Sequence, residues 1–445
     1  MVNELRTLLR ENVEHAPEDH ADLGEVLRLG RSRVRRRRTL VGSGAVSAVA
    51  VAGLVTALAL GGPGTDHATG PASRPLPDAP TTSLADAVPA VAGRDYTELA
   101  SYTNDNLDAD NGQYFDGVTD DGLILFRDGP RSDQLRPRFA LLDPATGTKD
   151  WLPDLRIGQT QTWPAELGSD RLILVGPSGS KASTLTAWVF DRGRRTWSEL
   201  TWPGLPAVGF PGAAQVGPDE RLYVGVPATQ GKIPEGGWPT QAGGDAEDAD
   251  AQGDSFELWS VSLTDGSDAR DEGLRFGELA FTPHSMVWTD RSNGDAGQVH
   301  VRDLATGEEH AFDPHSGDRC NLLGFGATDD RVVLSQYCGT YGDVRDDRVQ
   351  VLTTDGDQVV TIQDSSIDGM LAGAGGDGSL VEITAYERGQ AGTYIYDLAS
   401  GRLLRISDAM AKWGNGGPAP DGTFLWCTPT NRGHGQVQHV GELTP

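Results

Sequence analysis

A polar turn followed by an apolar run recurs seven times beyond residue 95, and nothing else in the chain restricts the fold as strongly. The copies are Asp120-Asp121-Gly122-Leu123-Ile124-Leu125-Phe126, Ser169-Asp170-Arg171-Leu172-Ile173-Leu174-Val175 and Pro218-Asp219-Glu220-Arg221-Leu222-Tyr223-Val224. They continue at Met286-Val287-Trp288, Arg331-Val332-Val333-Leu334, Ser379-Leu380-Val381-Glu382-Ile383 and Thr423-Phe424-Leu425-Trp426. With Leu123, Leu172, Leu222, Met286, Val332, Leu380 and Phe424 as markers, the steps are 49, 50, 64, 46, 48 and 44 residues. A second element follows most markers: Asp143-Pro144-Ala145-Thr146-Gly147, Asp191-Arg192-Gly193, Asp303-Leu304-Ala305-Thr306-Gly307 and Asp397-Leu398-Ala399-Ser400-Gly401. Asp opens such a turn by bonding backbone groups two residues on, and Gly supplies the positive φ at its end. Strand, turn and strand form a hairpin, and two hairpins make a four-stranded blade. A period of about 40 to 50 residues with this content indicates a β-propeller.

The expected fold is therefore all-β, a seven-bladed β-propeller over residues 95–445, closed by a strand near Tyr96 to Tyr102 pairing with one near Val437 to Leu443. The 64-residue step has a visible cause, a Gly-, Ala- and Asp-rich acidic insertion at about 228–255 that is too polar to pack. Asp143 to Trp151, with Thr146, Gly147 and Trp151 in place, resembles the tryptophan-docking repeat of quinoprotein propellers, and Asp191 to Trp197 resembles a kelch repeat. The repeats are degenerate and WD40-like in period. The kelch Gly-Gly doublet is missing and the remaining copies lack the Trp. The resemblance implies a propeller and little about chemistry.

The N-terminal part has a different character. Arg31, Arg33 and Arg35 to Arg38 precede an uncharged run from Leu40 to Leu60, about the ~20 apolar residues needed to cross a bilayer as a helix. The basic cluster should stay cytoplasmic, so the expected layout is a short helical cytoplasmic tail (1–39), one transmembrane helix (40–61), a Pro/Ala/Thr-rich linker (62–94) and an extracytoplasmic propeller. This layout resembles single-pass, membrane-anchored propeller proteins of actinobacteria. Ala57-Leu58-Ala59 keeps a second reading open, a cleaved signal peptide. In the tail, Leu5, Leu8, Leu9 and Val13 fall at helical spacing. Those few residues cannot form a core, which leaves either a topogenic tail or a segment, residues 1–30, that binds a cytoplasmic partner.

Charge agrees with that orientation. Residues 1–39 hold nine Arg and seven Asp or Glu, net +2, so the rest carries −29 of the total −27. An exterior this acidic excludes a nucleic-acid partner. The chain has three Cys, all in the exterior part, where disulfides persist. Cys320 and Cys338 lie symmetrically about Asp329, which places them opposite each other in a hairpin and predicts a bridge worth roughly 3 kcal/mol in the chain-entropy model. Cys427, in an apolar run, is expected as a buried free thiol.

Catalytic and cofactor motifs are not found. Gly373 to Gly378 satisfies G-x-G-x-x-G but precedes a strand, and Gly225 to Lys232 has the wrong spacing for a phosphate loop. No G-x-S-x-G or H-E-x-x-H occurs. His310 and His315 are five apart, as are His434 and His439, a spacing that points the two residues of each pair to opposite faces of a strand. No cofactor and no metal are expected.

One constellation remains. If the markers lie on second strands, the next loop of every blade opens on one face of the ring. Those loops hold Arg131, Arg136, Arg138, Lys181, Lys232, Arg291, Arg345, Arg388, Arg432 and His434. A basic mouth of this kind would bind an anionic ligand of the cell envelope through bidentate Arg contacts. The leading expectation is a non-catalytic, membrane-tethered propeller that binds an envelope protein or anionic glycan. The alternative is a transmembrane regulator whose tail binds a signalling partner in the manner of an anti-sigma factor, although the tail lacks the Cys of many such factors. A propeller lyase or glycosidase is the third.

Overall fold

The computed structural model describes residues 80–104, 112–129, 136–155, 157, 162–178, 184–208, 211–229, 253–292, 294–315, 320–328, 330–338, 347–364, 367–372, 379–385, 389–411, 417–430 and 435–444. The expected tail, the transmembrane segment, linker residues 62–79 and most of the acidic insertion lie outside these residues. Among the described residues no helix is long and apolar enough to cross a membrane.

The strands form seven sheets arranged as blades of a propeller. Blade 1 comprises β4 (Gln113–Val118), β5 (Ile124–Asp128), β6 (Arg138–Leu142) and β7 (Lys149–Trp151). Blade 2 comprises β8 (Trp163–Leu167), β9 (Arg171–Ser178), β10 (Thr184–Asp191) and β11 (Thr196–Thr201). Blade 3 comprises β12 (Ala214–Val216), β13 (Arg221–Thr229), β14 (Ser255–Ser262) and β15 (Ala269–Phe276). Blade 4 comprises β16 (Leu279–Phe281), β17 (Ser285–Thr289), β18 (Val299–Asp303) and β19 (Glu309–Phe312). Blade 5 runs from β20 (Cys320–Thr328) through β21 (Arg331–Cys338) and β22 (Arg348–Thr353) to β23 (Gln358–Gln363). Blade 6 runs from β24 (Ile367–Ala372) through β25 (Leu380–Ala385) and β26 (Gly392–Asp397) to β27 (Arg402–Arg405). Blade 7 contains β28 (Thr423–Pro429) and β29 (Gln436–Leu443), completed on the outside by β3 (Tyr96–Asn104).

Five of the seven markers lie on second strands, Phe424 lies on β28, the first described strand of blade 7, and Leu123 immediately precedes the second strand β5. The marker runs read as continuous apolar stretches because these strands are covered on both faces. Successive side chains point to opposite faces, so each run serves two neighbours. In β9, Leu172 and Leu174 pack with blade 1, whereas Ile173 and Val175 pack with blade 3. Seven buried clusters result, one for each interface between adjacent blades, including blade 7 with blade 1.

The Asp–Gly turns work as their composition predicts. Asp143 accepts from the Ala145 amide and the Thr146 hydroxyl, both at 2.8 Å, and Gly147 follows at φ 70°. Asp303 and Asp397 hold the equivalent turns ahead of Gly307 and Gly401. After Asp191, the left-handed position is taken by Arg195, at φ 56°. In blades 1 and 2, Arg138 stacks over Trp151, and Trp197 Nε1 donates back to Pro153 O at 2.9 Å.

Ring closure pairs β29 with β3 antiparallel, in a register from Gln436↔Asn104 to Leu443↔Tyr96. Cys320 lies directly across from Cys338 in the β20–β21 pair and is disulfide-bonded, while Cys427 is a buried free thiol. Part of the expected linker, residues 80–94, is described and carries secondary structure. β1 (Thr81–Thr82) pairs parallel with β23, and β2 (Val88–Pro89) pairs parallel with β27. Between them, a short 3-10 turn (Leu84–Asp86) capped by Ser83 buries Leu84 to 1% exposure between blades 5 and 6. Composition alone could not show this, because two-residue pairings leave no periodicity to read.

Leu84→Ala is expected to cost roughly 2–4 kcal/mol, measured by denaturant unfolding. Removing residues 1–79 should leave the thermal midpoint of the propeller unchanged. Removing residues 1–104 takes β3 out of blade 7 and should abolish the single cooperative transition seen by calorimetry.

Candidate functional site

In each blade the second strand leads to one face of the ring, and the first-to-second and third-to-fourth connections lie on the other. On this second face the described connections are short and internally bonded. Arg192 forms a two-pronged pair with Asp121 (2.7 and 2.8 Å), and Arg195 forms one with Asp150 (2.6 and 2.9 Å). These pairs border a cleft of about 400 Å³ between blades 1 and 2, lined also by Leu123, Asp143, Thr146 and Phe190. Its cations are satisfied by the protein itself.

The opposite face carries the second-to-third connections, residues 129–137, 179–183, 230–254, 290–298, 339–347, 386–391 and 430–435. Of the residues expected to form a basic mouth, Arg136 and Arg291 are described there, and both are exposed. Arg138 is not a loop residue. It opens β6, donates to Asp128 at 3.1 Å and sits 4.2 Å over the Trp151 ring. Arg131, Lys181, Lys232, Arg345, Arg388, Arg432 and His434 lie outside the described residues. Among the described cations, Arg136 and Arg291 make no side-chain ion pair, whereas Arg171, Arg192, Arg194, Arg195, Arg221, Arg270, Arg302 and Arg331 on the other face are all paired.

The same face holds a feature that the sequence did not reveal. Between blades 3 and 4 the chain turns through Gly277 and Glu278, packed against the exit of β17. Gly277 N donates to Thr289 O at 2.6 Å, and Glu278 N donates to Thr289 Oγ1 at 3.0 Å. Asp254 forms an isolated antiparallel bridge with Ser292, with N···O distances of 2.8 and 3.1 Å. Both approaches require glycine beside them. A Cβ at Gly277 would lie 1.9 Å from the Arg291 carbonyl carbon, and one at Gly253 would lie 2.0 Å from Ser292 O.

Glu278 is thereby 6% exposed, and among the described residues its carboxyl group makes no hydrogen bond or ion pair. Burial, reinforced by the nearby Asp254 carboxylate, pushes its pKa up to about 8. Among the described residues, no group of three or more His, Cys, Asp or Glu is placed to hold a metal.

A hydroxyl–imidazole–carboxylate chain occurs in blade 7, where Thr428 Oγ1 and Glu98 Oε1 lie 2.9 and 2.7 Å from the two nitrogens of His439. His439 also stacks on Trp426. Blade 4 repeats the stack as Trp288 on His300, with Asp290 in the place of Thr428. The recurrence marks a packing device of the blades. His310 is occupied by the Thr354 carbonyl at 2.9 Å, and His315 lies beyond the end of β19, where strand alternation does not apply.

No protein-family model matches the chain, and no curated protein matches it. Solved structures do. The β-propeller domain of the Trilobed protease from Pyrococcus furiosus, described as having an open velcro topology, aligns with 74% of this chain and 97% of its own, at 11% identity and TM-score 0.46. Oligogalacturonate lyase from Vibrio parahaemolyticus aligns over 79% and 98%, at 11% identity and TM-score 0.46. A prolyl endopeptidase aligns over 76% of this chain, at 13% identity and TM-score 0.44, and the chain spans only 45% of its length. Likeness at this level carries no inference about chemistry, and the propeller rests on the strand pairing described above.

The raised pKa of Glu278 makes stability depend on pH. Below about 4.5, its ordinary value, the group is protonated in both states and its burial carries no ionisation cost. As pH rises from there to about 8, the unfolded chain ionises first, so stability falls by roughly 1.4 kcal/mol per pH unit. In metal-free buffer, Glu278→Gln should remove this component of the slope, read from denaturant unfolding across that range.

Proposed function

We propose that the protein is a non-catalytic binding module that presents the face of the second-to-third connections to an anionic partner in the cell envelope, a protein or a glycan. The observation that supports this reading is the contrast in cations. The described arginines of the short-turn face are consumed in ion pairs, whereas Arg136 and Arg291 stand exposed and unpaired on the face that carries the long connections. Loops on a rigid scaffold are where recognition concentrates. Planar guanidinium groups suit carboxylate or phosphate bidentately. A membrane span at residues 40–61 would hold the module in the envelope.

The alternative reading, a transmembrane regulator that transmits through residues 1–30, draws support from the N-terminal strap. Chain leaving the tail would meet the propeller on the outer edges of blades 5, 6 and 7 in succession. A pull on the tail would act on those edges.

The test is binding of the full chain to purified anionic cell-wall polymer at low ionic strength. The double variant Arg136→Glu and Arg291→Glu should weaken binding by roughly tenfold or more and flatten its salt dependence. Binding that is unchanged in the double variant, or absent in the wild type, overturns the reading.

A further inference from the structure

The seam that closes the ring is finished differently at its two ends. Toward the short-turn face it is clamped. Asp95, just ahead of β3, takes Arg94 at 2.7 Å and Arg402 at 2.8 Å, and its carbonyl accepts from Thr444 N at 2.9 Å. The middle is apolar, with Ala100, Phe115, Phe126 and Val440 packed together. The other end, on the face of the second-to-third connections, is polar. There Gln436 and Asn104 are directly paired across β29 and β3, and the side chains of an opposed pair leave the sheet on one side. Gln438, two residues on, marks that side as the one facing blade 1, since it accepts from Phe115 N at 2.7 Å and donates to Gln113 O at 2.9 Å. Asn104 Nδ2 donates to the same carbonyl.

The rest of this amide pair is left over. Among the described residues, Gln436 Oε1 and Nε2 and Asn104 Oδ1 make no hydrogen bond. Both residues are 0% exposed, so the packing leaves solvent no surface on them. An enclosed polar atom without a partner costs its full desolvation, and that cost is recovered once water reaches it. The bonds that hold this end are exchanged for bonds to water on parting, so each resists opening only weakly.

We propose that the closed ring has a built-in opening point, the end of the seam at Gln436 and Asn104, where blade 7 parts from blade 1 while the Asp95 clamp and the apolar middle keep the ring shut. Opening hydrates the three unpartnered atoms and frees Phe115 N and Gln113 O. It gives a cleft lined by amide groups on the face of the long connections, drawn from the low-stability part of the structure as moving elements are. The inference does not rest on the proposed anionic partner, since it involves neither Arg136 nor Arg291.

Phe115 N reports the parting directly, because its hydrogen bond crosses to a side chain of blade 7. Hydrogen exchange of the full chain is followed amide by amide at low urea concentrations. In the wild type, Phe115 N should exchange at least about tenfold faster than the amide of Phe126 on the central strand β5, and with little dependence on urea, as local opening requires. Gln436→Met keeps the side-chain volume and removes the unpaired amide. It should slow exchange at Phe115 N about tenfold and raise the thermal midpoint. Exchange of Phe115 N only at the rate and urea dependence of Phe126 overturns the proposal. So does a Gln436→Met chain that exchanges at Phe115 N as fast as the wild type or faster, is less stable, or does not fold, because each result shows that the buried amide does not favour opening.

Discussion

The structure depends on the ladder between β29 and β3, because it joins the last strand of the chain to a strand more than three hundred residues earlier and so converts a row of blades into a ring. An open row would leave an unpaired strand edge and two blade faces bare. Closure buries both, and the interface of blade 7 with blade 1 becomes one of seven equivalent apolar contacts. Polar groups tighten the same seam. Gln438 accepts from Phe115 N at 2.7 Å and donates to Gln113 O at 2.9 Å, while Tyr102 donates to the Gln113 side chain at 2.6 Å. Lys149 lies over the rings of Tyr102 and Phe126.

Closure also gives the segment ahead of β3 its role. To reach blade 7 from outside, the chain crosses blades 5 and 6 and contributes a parallel edge strand to each. Arg94 and Arg402 both bind Asp95 at the end of this path, and with the Val91 amide they hold its pKa down at about 2. Ring closure and attachment of the N-terminal segment are therefore one structural event.

The two faces of the ring differ in how their described arginines are used. Short turns held by Asp, Thr and Gly leave little freedom on one face, and their charges pair across blades, as Arg192 with Asp121 and Arg195 with Asp150. The other face carries the long connections and the exposed Arg136 and Arg291, together with the buried Glu278, whose carboxyl pKa burial raises to about 8.

Blade number, the hairpin turns, the strands that close the ring and the facing positions of Cys320 and Cys338 were all legible in the sequence. Each is a local signal: an apolar run covered on both sides, an Asp that organises its own turn, a cysteine spacing symmetric about that turn. The sequence could not show that Arg138 is spent on Asp128 and Trp151, because the register that brings them together belongs to the sheet. Nor could it distinguish Glu278 from any surface glutamate, since its burial against the exit of β17 at Thr289 belongs to the packing of the blade. Local chemistry determined the repeating unit. Only the packing of one unit against the next decided which charges would be buried, which would be paired, and which would be left for something outside the chain.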